Sequence, residues 1–359
     1  MSKNNQKRLD EFFTIATIRT SKKDSESIAK PEHVALDEPV SESVKPKHTF
    51  VYIQNSRKAV FIDNPEHNDI LICQKAGLNL YLRGTINEYT IPQSKQKYNV
   101  PFLKSQLQKC IRQCQTTFAI KTAAILIRTD FLELLRRLPI IVLEDSTLFS
   151  WYPILVWFMI AHGNYKYSLD DYNLILIMVH QLCNTRDYFY SKKDGSLNEK
   201  DISHEIIVDR TSHLGSDSNT CDLLLSIYYR LLYGCMEGDK ALLKSAIDYY
   251  YSNKALSIEN TYGINYKDFE DVILEKHEIL MSAIDYHPFP IILKRINSEL
   301  PNIPVFKIKE TIWHCSSCVN IRKRYTYNRI SSYNEYWAII EPVLHKIRDQ
   351  ILEREILAL

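Results

Sequence analysis

The residues best suited to metal chemistry lie in Trp313-His314-Cys315-Ser316-Ser317-Cys318. There a C-x-x-C spacing brings two thiolates within reach of one tetrahedral zinc, and His314 offers a further ligand. A site of this kind needs a second half. No other C-x-x-C is present, and Cys73, Cys110, Cys114, Cys183, Cys221 and Cys235 are distant single residues or sit on apolar helix faces. Buried structural thiols and no bound metal are therefore expected. Magnesium chemistry of the nuclease kind would need converging carboxylates. The sequence offers Asp63, Glu66 and Asp69 around one turn, and the pair Glu144-Asp145. Neither group is arranged decisively, because acids near turns ordinarily cap helices or stay solvated. Asp285-Tyr286-His287-Pro288 places a carboxylate near an imidazole, as a catalytic histidine requires, and equally reads as a helix-ending turn.

Two further patterns fail on context. Lys192-Lys193-Asp194-Gly195 reads K-x-D-G, the nucleophile motif of nucleotidyltransferase ligases, but it lies in a polar run between helical stretches, where Asp-Gly is ordinary turn chemistry. Cytidine deaminases pair H-x-E with P-C-x-x-C, whereas His204-Glu205 are adjacent here and no proline precedes Cys315. One patch suits nucleic acid. Arg322, Lys323, Arg324, Tyr325, Tyr327 and Arg329 interleave cations with rings, which combines phosphate neutralisation with base stacking. A basic helix face shielded by its own aliphatic stems has the same composition, and both readings stand.

The most specific spacing in the chain is Gln6-Lys7-Arg8-Leu9-Asp10-Glu11-Phe12-Phe13. Gln6, Leu9, Phe12 and Phe13 fall on Q-x-x-[LIM]-x-x-[FY]-[FY]. The segment resembles the sliding-clamp (PCNA)-interacting peptide, or PIP box, in the QxRLDxFF form carried by flap endonucleases. In one 3₁₀ turn residues i and i+3 eclipse, so Leu9 and Phe12 project together and Phe13 widens the plug. Aromatic anchors that fill a pocket dominate binding energy. The resemblance implies that Gln6 bonds in a separate polar pocket of the clamp, with Lys3, Lys7 and Arg8 favouring an acidic clamp surface. An amphipathic presequence is the competing reading, and Asp10 and Glu11 argue against it.

A second resemblance covers residues 106–163. Leu107-Gln108-Lys109-Cys110-Ile111-Arg112, Ala123-Ala124, Leu135-Arg136-Arg137-Leu138, Glu144-Asp145 and Ala161 resemble the C-terminal helical domain of the RarA/WRNIP1 family, which maintains replication forks. That resemblance implies a helical scaffold capable of oligomerising; the ATPase module expected ahead of it is missing. The alternative is a helical core in which Arg136, Arg137, Glu144 and Asp145 form a buried ion-pair cluster.

The elements that carry these residues follow from periodicity. Residues 14–47 are rich in Ser, Lys, Glu, Pro and Asp and are expected to be a disordered linker with a reach of roughly 30 Å. Branched and aromatic runs at 49–53, 59–62 and 69–73 predict strands of a small sheet in residues 48–100. From residue 101 helical spacing takes over. Leu103, Leu107, Cys110, Ile111 and Cys114 share one face, and helices are expected at 117–128, 131–138, 152–162, 170–183, 222–236, 240–252, 268–284 and 335–357. The fold class is therefore mainly α with a small N-terminal β element and a disordered tail. The domains are 1–13 for the clamp peptide, 14–47 for the linker, 48–100 for the β region and 101–359 for the helical domain.

Composition narrows the function. The 45 basic and 43 acidic residues give a net charge of +2, so DNA contact must be local rather than driven by a global field. Only eight glycines occur, with neither a P-loop nor a GxGxxG, which leaves no sequence case for an ATPase, kinase or dinucleotide enzyme. No apolar run is long enough to span a bilayer. The Asn, Ile, Lys and Tyr bias suits an AT-rich protist or viral genome. The expectation is a soluble clamp-binding accessory factor of DNA replication or repair, acting as a non-catalytic adaptor or DNA-binding scaffold. A diverged, clamp-recruited, metal-dependent nuclease-like enzyme is the alternative. A PCNA-type clamp, DNA and a second copy of the chain are the expected partners. No cofactor is expected, and the expected location is the nucleus or a viral replication compartment.

Overall fold

Two early runs rich in branched and aromatic side chains form the hairpin β1 (His48–Ile53) and β2 (Lys58–Ile62). A second hairpin, β3 (Ile70–Lys75) and β4 (Leu78–Arg83), joins it through parallel pairing of β4 with β1, giving the order β2-β1-β4-β3. The structure is a computed structural model that describes residues 47–92, 98–189, 202–257, 263–284, 290–322 and 333–352. β4 lies outside the expected strands. Its signal is nevertheless plain, since Leu78, Leu80 and Leu82 alternate with Asn79, Tyr81 and Arg83 and all three leucines are fully buried.

Helices make up the rest of the mainly α fold: α1 (Val100–Arg112), α2 (Thr116–Thr129), α3 (Phe131–Asp145), α4 (Tyr152–Ala161), α5 (Leu169–Asn184), α6 (His204–His213), α7 (Ser218–Leu232), α8 (Glu237–Tyr250), α9 (Pro290–Glu299), α10 (Val305–Ile312) and α11 (Asn334–Ile351). Their starts carry the expected caps. Asn99 accepts from Phe102 N, Asp130 from Glu133 N, Ser203 from Ile206 N and Asp217 from Thr220 N, while Ser168 and Asp171 form a reciprocal capping box on α5. α4 reads Tyr-Pro-Ile-Leu-Val-Trp-Phe-Met-Ile-Ala and every residue is buried, as an all-round apolar helix must be. It touches α3, α7 and three strands, so sheet and helices share one core. Among the described residues no helix is long and apolar enough to cross a membrane.

One expected helix does not form. Residues 268–284 instead run as short 3₁₀ turns, including Lys276–Glu278 and Met281–Ile284. Side chains of the neighbouring helices take the backbone groups that a helix would use internally. The buried amide of Gln106 donates to Glu278 O at 2.7 Å and accepts from Leu280 N at 3.0 Å, Tyr98 accepts from Leu274 N, and the Arg128 guanidinium donates to Glu270 O and Val272 O. The cost of leaving such groups unpaired is met by tertiary rather than local bonds. Conversely α6, α9 and α10 were not expected. α6 is rich in β-branched residues and buries only Ile207 and Thr211, so its apolar period is faint. Past Ile312 the chain continues through a π-helical turn, Trp313–Ser317, closed by Cys318 N to Trp313 O at 2.9 Å.

Candidate functional site

A polar cavity of about 300 Å³ lies between the β1–β2 turn, the exit of β4 and the start of α5. Local sequence builds it. The turn residues Gln54-Asn55-Ser56-Arg57 close with Arg57 N on Gln54 O at 3.1 Å, and Arg57 takes the left-handed conformation, φ 50°. That conformation costs a non-glycine residue about 1 kcal/mol or more, and such strain is concentrated at ligand-contacting turns. Gln54 then lies across the end of β4. Its Oε1 accepts from Thr85 N at 2.9 Å, and a Cβ on Gly84 would sit 2.4 Å from that oxygen, so the approach depends on glycine.

The floor of the cavity is the capping carboxylate of α5. Asp171 Oδ2 accepts from Ser168 N, Ser168 Oγ and Tyr165 OH at 2.8–2.9 Å, and its Oδ1 accepts from Tyr52 OH at 3.0 Å. Burial raises the Asp171 pKa despite these four donors. Around the mouth stand Asn55, Arg57, Asn87 and Asp170, all exposed. Among the described residues Arg57 pairs with no carboxylate and Asp170 with no cation. The cavity thus presents a guanidinium, a carboxylate and amides to an entering molecule.

Asp222 lines a smaller cavity on the other side of the same turn, together with Ser56, Arg57, Lys58 and Asn219. It accepts from Phe61 N of the edge strand β2 at 2.8 Å. Burial pushes its carboxyl up to about 7, against the lowering effect of that hydrogen bond. The folded state therefore binds a proton more tightly than the unfolded chain, so the associated stability is complete below pH 4 and is lost as pH rises through 7. Asp222→Asn keeps an acceptor for Phe61 N–H and abolishes this dependence. Denaturant titrations at pH 5 and pH 8 should show the variant gaining on the native protein by about 2–3 kcal/mol at the higher pH. Equal pH profiles would refute the assignment.

The residues singled out by spacing mostly serve the interior. Glu66 and Asp69 are held by Arg83, whose Nη1 lies 2.6 Å from Glu66 and whose Nε and Nη2 grip Asp69 at 2.7 and 2.9 Å, so these carboxylates do not converge on a metal. Asp63 stays exposed on its own. Glu144 and Asp145 belong to an ion-pair cluster. Arg112 Nε and Nη2 donate to Asp145 at 2.6 and 3.1 Å, Gln108 bridges both acids, and Arg137 reaches Glu144 at 3.3 Å. The buried cluster expected from Arg136, Arg137, Glu144 and Asp145 thus forms with Arg112 in place of Arg136, which turns outward to Glu133.

Arg322 corrects the nucleic-acid reading at its first residue. Only 9% exposed, its guanidinium donates to five backbone carbonyls, those of Ile111, Asp145, Leu182, Cys183 and Thr185. These oxygens end α1, α3 and α5, whose dipoles each place partial negative charge there. A cation committed in this way is unavailable to phosphate. Lys323, Arg324, Tyr325, Tyr327 and Arg329 lie outside the described residues, as do Gln6, Leu9, Phe12, Phe13, residues 192–195 and residues 285–288.

The thiol pair is no more suited to metal. His314 stacks on Tyr333 with ring centroids 4.8 Å apart, and burial raises the Cys315 thiol to about 11. Among the described residues no three His, Cys, Asp or Glu side chains are placed to hold an ion, and none of the eight cysteines is in a disulfide. His204 packs face to face on His48 at 3.5 Å, with Tyr229 OH 3.1 Å from its Nδ1. The strand runs at 49–53 and 59–62 imply a connection between them but do not mark the cavity around it. The conformation of Arg57 has no local signature, and Asp170-Asp171 after Ser168 reads simply as a helix start. The chain matches no family model, no curated protein and no solved structure.

Proposed function

We propose that the chain is a sliding-clamp-binding accessory factor of DNA replication or repair, recruited through Gln6, Leu9, Phe12 and Phe13. The observation that carries this reading is the Q-x-x-L-x-x-F-F spacing with basic residues around it. A full match in a chain of this length arises by accident on the order of 1% of the time. The polar residues 14–47 separate the motif from β1, which allows motif and body to act on different partners. In the body, the acids that a metal-dependent nuclease would call on are engaged by Arg83 and Arg112, which favours a scaffold over the enzyme alternative. DNA, and a second copy through the helical body, are the further ligands of this proposal. The nucleus or a viral replication compartment is its place.

Competition separates this reading from chance. A synthetic QxRLDxFF peptide should displace the full chain from a PCNA-type clamp, because both fill one pocket. Retention of the chain at saturating peptide would place its contact elsewhere and defeat the proposal.

A further inference from the structure

The cavity beneath the β1–β2 turn has a donor and acceptor arrangement that narrows its ligand. It offers one guanidinium, Arg57, and one exposed carboxylate, Asp170, neither ion-paired among the described residues, with the amides of Asn55 and of Asn87, whose Nδ2 donates to Thr85 Oγ1, beside them. The remaining polar groups are committed. Gln54 serves Thr85 and Tyr165, and Asp171 already accepts four hydrogen bonds. A simple anion would meet Asp170 and Asp171, and a simple cation would meet Arg57, so the occupant must carry an acceptor edge and a donor edge together.

Size sharpens this further. A cavity of about 300 Å³ stands at the small end of the roughly 300–1,000 Å³ range of ligand pockets, which suits a flat heterocycle rather than an extended chain. Among the nucleobases, guanine presents two adjacent acceptors, O6 and N7, that fit an arginine fork, and beyond them two adjacent donors, N1–H and the 2-amino group, that fit a carboxylate with two bonds; cytosine's acceptors N3 and O2 share one edge with a single amino donor. Adenine offers N6–H beside N7 and an acceptor at N1, which would leave both charged groups mismatched.

We propose that this cavity binds an unstacked guanine, with Arg57 on the O6/N7 edge and Asp170 on the N1–H and 2-amino edge. The left-handed backbone of Arg57 gives the assignment a second support. A turn at φ 50° is where glycine would serve the fold best, so an arginine there trades stability for a projecting guanidinium. The inference extends the clamp reading to the body but does not depend on it, since the probes below contain no clamp.

The test titrates the full chain with GMP, AMP, CMP and UMP, and with an oligo-dT carrying one dG, following the heat of binding. GMP should bind at least tenfold more tightly than the other three. Arg57→Gly and Asp170→Asn should each weaken GMP at least tenfold. Arg57→Gly should melt no lower than the native protein, because glycine is at ease in that conformation, so loss of binding cannot be ascribed to misfolding. Tighter binding of the dG oligonucleotide than of GMP would identify single-stranded nucleic acid as the source, and GMP binding alone would identify a free nucleotide. Absence of GMP binding at millimolar concentration, equal affinity for AMP, or native affinity in both variants would overturn the proposal.

Discussion

Arg322→Met lowers the stability of the folded chain by about 3–5 kcal/mol, since several buried carbonyls lose their donor at about 1–3 kcal/mol for each one left unpaired. The methionine fills the space of the aliphatic stem, so the loss isolates the guanidinium. Without it the carbonyls of Ile111, Asp145, Leu182, Cys183 and Thr185 lose their shared donor at a point where three helices end. Asn320 extends the same plug, donating to Asp145 O at 3.2 Å and accepting from Arg322 N at 3.0 Å. Arg322→Lys should recover only part of the loss, because an ammonium has three donors on one nitrogen and cannot span carbonyls on opposite sides of a planar fork. Guanidinium chloride titration reads both. A change under 1 kcal/mol for Arg322→Met would return Arg322 to the surface role first read from its neighbours.

Asp145→Ala is the second large effect, about 2–4 kcal/mol, because the buried Arg112 guanidinium loses both of its bonds to Asp145 and keeps only Glu144 at 3.3 Å and the Ser317 carbonyl at 2.8 Å. Asp145 is fully buried, and that burial opposes its charge. Arg112 and the Gln108 amide overcome the opposition and hold the carboxyl below its ordinary range. Its contribution is therefore present above the unfolded pKa and is lost as pH falls through the folded one. The double replacement Arg112→Met with Asp145→Leu should restore much of the stability lost in Asp145→Ala, since an apolar pair of similar volume avoids desolvating two charges. Denaturation of the single and double variants checks both statements. A double variant less stable than the single one would mean that the cluster contributes more than its own pairing.

The sequence was most readable where one physical term dominates. α4 is apolar on every side and could only be central, and the branched and aromatic runs at 49–53 and 59–62 mark the first hairpin. Legibility failed where side chains compete with the backbone for its own hydrogen bonds. Gln106, Tyr98 and Arg128 draw residues 268–284 out of a helix that their apolar spacing favours, and nothing within that segment records it. The same blindness affected Arg322. Beside Lys323, Arg324 and Tyr325 it reads as part of a basic, aromatic surface, and only the convergence of three helix ends, brought together from residues 111, 145 and 182, shows what it neutralises. The candidate cavity was hidden for a related reason. Arg57, Asp170 and Asn87 are far apart in the chain, each is an ordinary polar residue locally, and their meeting depends on the parallel pairing of β1 with β4 and on the docking of α5.

The clamp reading rests on the side chains of Phe12 and Phe13, and calorimetric titration of the full chain into a PCNA-type clamp tests it most directly. The native chain should saturate at one copy per clamp subunit, and Phe12→Ala with Phe13→Ala should weaken binding at least about 100-fold, as the loss of two aromatic anchors from a pocket requires. Undetectable binding by the native chain, or equal affinity in the double variant, would contradict the proposed function.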